Sequence, residues 1–203
     1  MLLGLGLPLP KTIVSHGMIL ADGQKMSKSI GNVVDPIEVI NRHGIEAFRY
    51  YFLRHVDTFD DSDFTWEKFE SAYNNELAND LGNLVQRVAT LAHKNGVKAP
   101  EVHLELPKEY KSLMDEYEFS RAFDWIWEKV QALNREIDVK KPWTLAKEGK
   151  QVELKECMQD LIRELLNIAY YLAPFLPKTS ESIENVFADD EVVPPETPLF
   201  PKA

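Results

Sequence analysis

The chain has 203 residues, 44% of them hydrophobic and 28% charged, a composition that gives a globular chain ample surface to bury a core. A formal net charge of −10 argues against broad, sequence-indifferent nucleic-acid binding, which depends on neutralising phosphates, but leaves room for a restricted RNA-reading patch. Cys157 is the only cysteine, so an internal disulfide and a multi-cysteine zinc site are excluded, and its apolar helical setting predicts a buried thiol.

Residues 1–9 are apolar but lack a basic start and are interrupted at Pro8, so they do not read as a signal peptide. No apolar run approaches the ~20 residues a membrane span needs, and a cytoplasmic home is expected. Gly4 to Thr12 superficially looks like a phosphate-binding loop, but Pro10 stands where a glycine N–H is required, so that motif is rejected. Thr12, Ile13 and Val14 predict a strand over residues 11–20, with His16 near its end, placed either towards a nucleotide or towards packing or solvent.

Lys25-Met26-Ser27-Lys28-Ser29 follows, flanked by Gly23 and Gly31. It has no apolar periodicity, and the glycines permit unusual backbone angles, so it is expected to be an adaptable loop. Its lysines and serine hydroxyls suit a polyphosphate whose charge shifts during reaction. Taken alone, a short Lys/Ser run more often reads as a solvated basic turn.

Asp35-Pro36 pairs an N-cap residue with proline at the first helical position and predicts a helix over 36–42, stopping near Gly44. Ile45, Phe48, Tyr51 and Phe52 predict a second helix. Residues 59–64 read as an acidic turn or short extended piece, with no calcium-loop spacing among the aspartates. Thr65 is expected to cap a long helix over 66–94, ended by Asn95-Gly96, with Leu77, Leu81, Leu84, Val88 and Leu91 as its buried stripe. Asn75, Asn79, Asn83 and Arg87 fall four apart on its polar face, an unusual use of a mediocre helix former.

Residues 99–107 are expected to be a linker. Phe119, Phe123, Ile126, Val130, Leu133 and Ile137 then form a heptad-like stripe, with Trp125 and Trp127 as packing residues. Pro142 breaks that helix and can begin a short one, carrying Trp143. A long helix over 152–172 should lie at the bundle's centre, and Thr179 or Ser180 can cap a last helix. The proline-rich tail, 194–203, is expected to run along the surface.

The run from His16 through Lys25-Met26-Ser27-Lys28-Ser29 to Pro36 resembles the second signature of class I aminoacyl-tRNA synthetases. Arg49-Tyr50-Tyr51-Phe52-Leu53-Arg54, Asp61-Ser62-Asp63-Phe64 and Asn74-Asn75-Glu76-Leu77-Ala78-Asn79-Asp80-Leu81-Gly82-Asn83 through Arg87 narrow the resemblance to the methionyl-tRNA synthetase family.

The resemblance implies a mainly α fold. Residues 1–65 would be the end of a Rossmann-type catalytic domain with the signature loop and a stem-contact fold. Residues 66–203 would be an α-helical bundle that binds the anticodon. It implies catalytic roles for Lys25 and Lys28, with Lys28 neutralising the departing pyrophosphate, and ATP contacts from Lys25, Ser27, Lys28 and Ser29, where bracing of the loop is an equal reading for the serines. It implies anticodon contacts from Asn83, Arg87 and Trp143. Their chemistry is coherent, because RNA loop bases are stacked on aromatic rings and read along their edges. Lys140 and Lys141 could touch phosphates or form a solvated basic turn.

ATP with Mg2+, methionine and methionine tRNA are the implied ligands of the whole enzyme, and no metal site is expected within this chain. The His-Ile-Gly-His signature of the upstream half is absent, so the chain is expected to be a C-terminal portion that does not activate methionine by itself. Other readings are a free-standing tRNA-binding module and a related enzyme for isoleucine or valine.

Overall fold

The computed structural model describes residues 1–188 and 191–202. Helices dominate, in agreement with the expected mainly α class, and one small sheet lies near the start. The sheet joins β1 (Ile19–Ala21), β2 (Gln24–Lys25) and β3 (Ser62–Phe64) in the order β2-β1-β3. β1 and β2 form a tight antiparallel hairpin, Ala21 opposite Gln24, and β3 joins β1 in parallel, Leu20 opposite Asp63.

The strand expected over residues 11–20 is therefore confined to its last residues. Residues 12–15 are exposed, Ile13 at 85%, and have no neighbouring strand to complete a ladder. β-propensity at Thr12 to Val14 is not enough without a pairing edge. Lys25, expected in a loop, lies in β2.

α1 (Pro36–His43) begins as expected, with the Asp35 side chain accepting from the Ile37 N–H. α2 (Ile45–Arg54) follows, and its rings Tyr50, Tyr51 and Phe52 meet Phe64, Phe69, Phe123 and Trp127. One continuous core thus runs from α2 into the helices that follow.

Thr65 caps α3 (Trp66–Ala72) by accepting the Lys68 N–H at 3.2 Å. The helix runs on to Lys94, but residues Tyr73–Gly82 adopt π pitch before α4 (Asn83–Lys94) resumes. The wider pitch buries Tyr73, Leu77, Ala78, Leu81 and Gly82, while Glu76 and Asp80 are directed to partners on other helices. Four residues overshoot an α turn but fall short of a π turn, so the π stretch offsets the drift of the asparagine row. Asn75, Asn79, Asn83 and Arg87 all stay unburied.

After an irregular segment, α5 (Lys108–Asp115) was not legible in the sequence, since Tyr110 is its only buried residue. α6 (Phe119–Lys140) buries the expected stripe from Phe123 to Ile137 and Trp127 as well, while Phe119 at its start is only partly buried, and the indole N–H of Trp125 donates to Glu109. α7 (Pro142–Lys147) is the short helix expected after Pro142. α8 (Gln151–Leu172) buries ten residues, Cys157 among them, and packs against α4, α6, α7 and α9 (Pro177–Val186), the central position expected.

Pro177 opens α9 without a side-chain cap, contrary to the expectation for Thr179 and Ser180. Both hydroxyls are buried and recruited by other elements: Thr179 donates to Glu46 at 3.0 Å, and Ser180 to the Ala169 carbonyl at 2.7 Å. The tail is also more firmly seated than expected. Phe200 is buried against Tyr73, whose hydroxyl donates to the Pro201 carbonyl at 2.7 Å. Ala203, the last residue of that tail, lies outside the described residues.

Candidate functional site

The signature segment leaves the sheet through the hairpin turn Asp22-Gly23, where both residues have positive φ, 53° and 71°. Beyond β2 the chain folds into a turn in which the Ile30 and Gly31 N–H groups donate to the Ser27 carbonyl at 3.2 and 3.0 Å. Gly31, at φ 77°, supplies the left-handed residue that this turn requires. Asn32 clasps the loop: its carbonyl oxygen accepts the Ser27 N–H at 2.8 Å, and its amide donates to the Lys25 carbonyl at 3.3 Å.

The Ser27 and Ser29 hydroxyls lie 2.8 Å apart and bond to each other. Lys25 and Lys28 are exposed, and neither makes an ion pair among the described residues. Two free ammonium groups beside two hydroxyls and a glycine turn form a surface suited to a polyphosphate.

The acidic stretch does more than solvate a turn. Asp61 accepts the Met18 N–H, and Asp63 the Gly23 N–H, each at 2.7 Å. Asp63 also meets Lys68 at 3.3 Å on α3. The Gly23 amide, with help from Lys68, holds the Asp63 carboxyl below the usual carboxylate range. The sequence signal for these braces is a pair of acids four and two residues before the helix cap, and it is indistinguishable from a polar loop without the sheet pairing. No His, Cys, Asp or Glu cluster able to hold a metal occurs among the described residues.

At the far end of the long helix, Asn83 opens α4 in an exposed position, and Arg87 lies one turn on. The Arg87 Nη2 donates to Asp138 Oδ1 on α6 at 2.6 Å, and its Cζ lies 5.9 Å from the centroid of the Trp143 ring on α7. Trp143 is half-buried, packed on the core from one side. Arg87 and Trp143, far apart in sequence, thus share a corner, with Asn83 a turn away along α4. Asp138 was missed, since an acid on an exposed helix face carries no sequence signal.

Between these two regions lies a half-buried polar network that the sequence did not reveal. Glu76, on the π stretch, accepts from the Tyr50 hydroxyl, from Arg54 Nη1 at 3.1 Å and meets His55 Nε2 at 2.7 Å. Arg54 in turn reaches Asp124 at 3.4 Å and lies 4.6 Å over the Trp127 ring, whose N–H points to Asp80. Burial pushes Glu76 up, but hydrogen bonds from His55 and Tyr50 and the charge of Arg54 outweigh it and hold this carboxyl below its ordinary range. Burial raises Asp80 and raises the Tyr50 phenol strongly. A polar cleft of about 810 Å³ opens beside the network, lined by residues such as His55, Asp63, Lys68 and Glu76, and it holds none of the site residues expected from the sequence.

Residues 1–89 match the family model described as tRNA synthetases class I (M). A methionine–tRNA ligase of Fusobacterium nucleatum is 39% identical over 206 aligned residues, covering 94% of this chain and 32% of that protein. One from Listeria monocytogenes serotype 4b is 42% identical, covering 90% of this chain and 30% of that protein. The Mycobacterium tuberculosis methionyl-tRNA synthetase bound by methionyl-adenylate superposes with a TM-score of 0.86 at 26% identity, over 98% of this chain and 46% of that one. The chain therefore spans about a third of the length of the curated relatives it matches. No helix among the described residues is long and apolar enough to cross a membrane.

Proposed function

We propose that this chain, a homologue of the methionine–tRNA ligases along nine-tenths of its length, reads the anticodon of methionine tRNA and lends a phosphate-binding loop to methionine activation. The observation that carries this reading is the shared corner of Arg87 and Trp143, with Asn83 one turn away. A splayed base can stack on the open side of Trp143, while the Arg87 fork and the Asn83 amide address base edges. Residues 66–203 form the anticodon-binding part, and residues 1–65 the end of a catalytic domain with its stem-contact fold.

At the loop, Lys25, Ser27, Lys28 and Ser29 hold the phosphates of ATP. When the methionine carboxylate attacks the α-phosphate, charge grows on the departing pyrophosphate, and Lys28 is the group that meets it. Lys25 stands in β2, tied through Asn32 to the turn that carries Lys28, so the two cations move together as the loop closes. Magnesium accompanies the triphosphate, and the chain offers it no cluster of its own among the described residues.

The test is binding of the purified chain to two RNA stem–loops, one with the methionine anticodon and one with a single anticodon base changed. Tighter binding to the first is expected. Equal binding to both, or none to either, overturns the anticodon reading.

A further inference from the structure

Two adjacent lysines, Lys140 and Lys141, end α6 beside Trp143, and the structure gives them opposite circumstances. Lys140 is engaged by acids: its Nζ lies 2.6 Å from Glu136 and 3.6 Å from Asp160 on α8. Lys141 is exposed, and its ammonium has no anionic partner among the described residues. Its backbone, by contrast, is held at both ends. The Lys141 N–H donates to the Ile137 carbonyl at 3.1 Å, and its own carbonyl accepts the Thr144 N–H at 2.8 Å.

The backbone conformation makes the choice of residue informative. Lys141 has φ 45° and ψ 59°, the left-handed region. Just past a helix end, glycine or asparagine takes this conformation at least cost, and lysine does not. The helix stop and the following Pro142 account for a bend here but not for an ammonium group. The neighbouring carboxylates are also spoken for: Asp138 pairs with Arg87, and Glu136 and Asp160 pair with Lys140. Lys141 is therefore an uncompensated cation on an otherwise acidic molecule, two residues from the ring that stacks a base. Chain geometry limits the two Cα atoms to about 7.6 Å.

We propose that Lys141, and not Lys140, is a phosphate-binding residue of this face, neutralising the RNA backbone next to the base stacked on Trp143. The proposal rests on the anticodon reading above and adds to it a sequence-independent contact. A phosphate contact fixes the register of the strand without reporting which base it carries. Lys140 instead ties α6 to α8.

The experiment measures binding of the whole chain to the two labelled stem–loops over a range of salt concentrations. Lys141→Gly, which suits the left-handed backbone, is expected to weaken both complexes equally, about fivefold at about 0.1 M salt. The slope of log affinity against log salt should become shallower by about 0.7, as expected when one phosphate of a single strand is no longer neutralised. Lys141→Arg should keep the wild-type slope. Lys140→Gln should keep slope and affinity while lowering the melting temperature.

A wild-type slope in Lys141→Gly overturns the proposal. If Lys141→Gly loosens the junction, Lys141→Asn provides the same readout in a residue that also tolerates this conformation. Binding weakened in Trp143→Ala but unchanged in Lys141→Gly overturns the lysine alone. Failure of the wild-type chain to bind either RNA overturns the lysine and the anticodon reading together.

Discussion

Arg87 lies with its guanidinium carbon 5.9 Å from the centre of the Trp143 ring, and Asp138 holds it there at 2.6 Å. Three helices, α4, α6 and α7, each contribute one member of this group. On the anticodon reading proposed above, this arrangement would separate two kinds of RNA contact, stacking on a ring and reading of a base edge.

Trp143→Ala should therefore weaken RNA binding by about 1–3 kcal/mol, roughly ten- to a hundredfold, for any anticodon. Arg87→Ala should instead narrow the gap between the methionine stem–loop and its single-base variant, because a wrong base leaves the guanidinium facing the wrong edge. Titrations with both RNAs, with melting temperatures as a fold control, check this. Unchanged affinity and selectivity in a stable double variant remove both residues from the interface.

Asp138→Asn releases Arg87 and deletes a negative charge from the face. Binding should tighten for both stem–loops, since one repulsion of the phosphate backbone is removed, while the ratio between them falls. The same titrations decide it, and a ratio that rises contradicts the role given to the carboxylate.

Lys28→Ala, placed in an enzyme of the relatives' full length, should lower the turnover of methionine activation by about a hundredfold or more and change methionine binding little. Pyrophosphate exchange measures this directly. The isolated 203-residue chain should show none above a blank, because it spans only about a third of the length of its relatives and its loop lysines are exposed.

Glu76 gives a pH dependence with a definite sign. Its folded pKa is depressed, so it contributes stability that is full above the unfolded carboxylate value of about 4.3. That contribution is lost as pH falls through the lower folded value. Glu76→Gln should cost about 1.5–3 kcal/mol at neutral pH, the range for hydrogen bonds to a charged group, and should flatten the acid limb of the stability curve. Urea unfolding between neutral and acid pH tests it. An acid limb as steep as wild type assigns the dependence elsewhere.

Gly17→Ala probes the sheet. A Cβ at this position would stand 2.0 Å from the Asp60 carbonyl oxygen, with backbone on the other side that cannot rotate away. The turn that presents β3 must shift, at a cost of roughly 1–3 kcal/mol. The Ser62 amide, which donates to the Met18 carbonyl, should exchange with solvent faster, while amides in α8 keep their protection.

Helix starts and core faces were legible because they are local or periodic. Asp35-Pro36, Thr65 and Pro142 act on neighbouring backbone, and the stripe from Leu154 to Leu172 records one buried face. The lysine–serine loop was legible as a motif, and its exposure and turn followed from its glycines. What escaped depends on partners distant in sequence. The strand at residues 12–15 lacks a neighbour, Thr179 and Ser180 are recruited by Glu46 and Ala169, and the π stretch directs Glu76 and Asp80 to Tyr50 and Trp127. Asp138 escaped for the same reason, since only the folded chain brings it to Arg87.

Asp63 joins two things that the sequence keeps apart. One of its oxygens holds the hairpin turn at Gly23, and the other reaches Lys68 on the first turns of the long helix. From its cap at Thr65, the rod that begins there carries Arg87 roughly 30 Å away, the π stretch rising less per residue than an α-helix. A rod pinned near one end acts as a lever. A tilt of about 5° at the pinned end would sweep the Arg87 backbone through about 3 Å, comparable to the ~3.4 Å spacing of stacked bases.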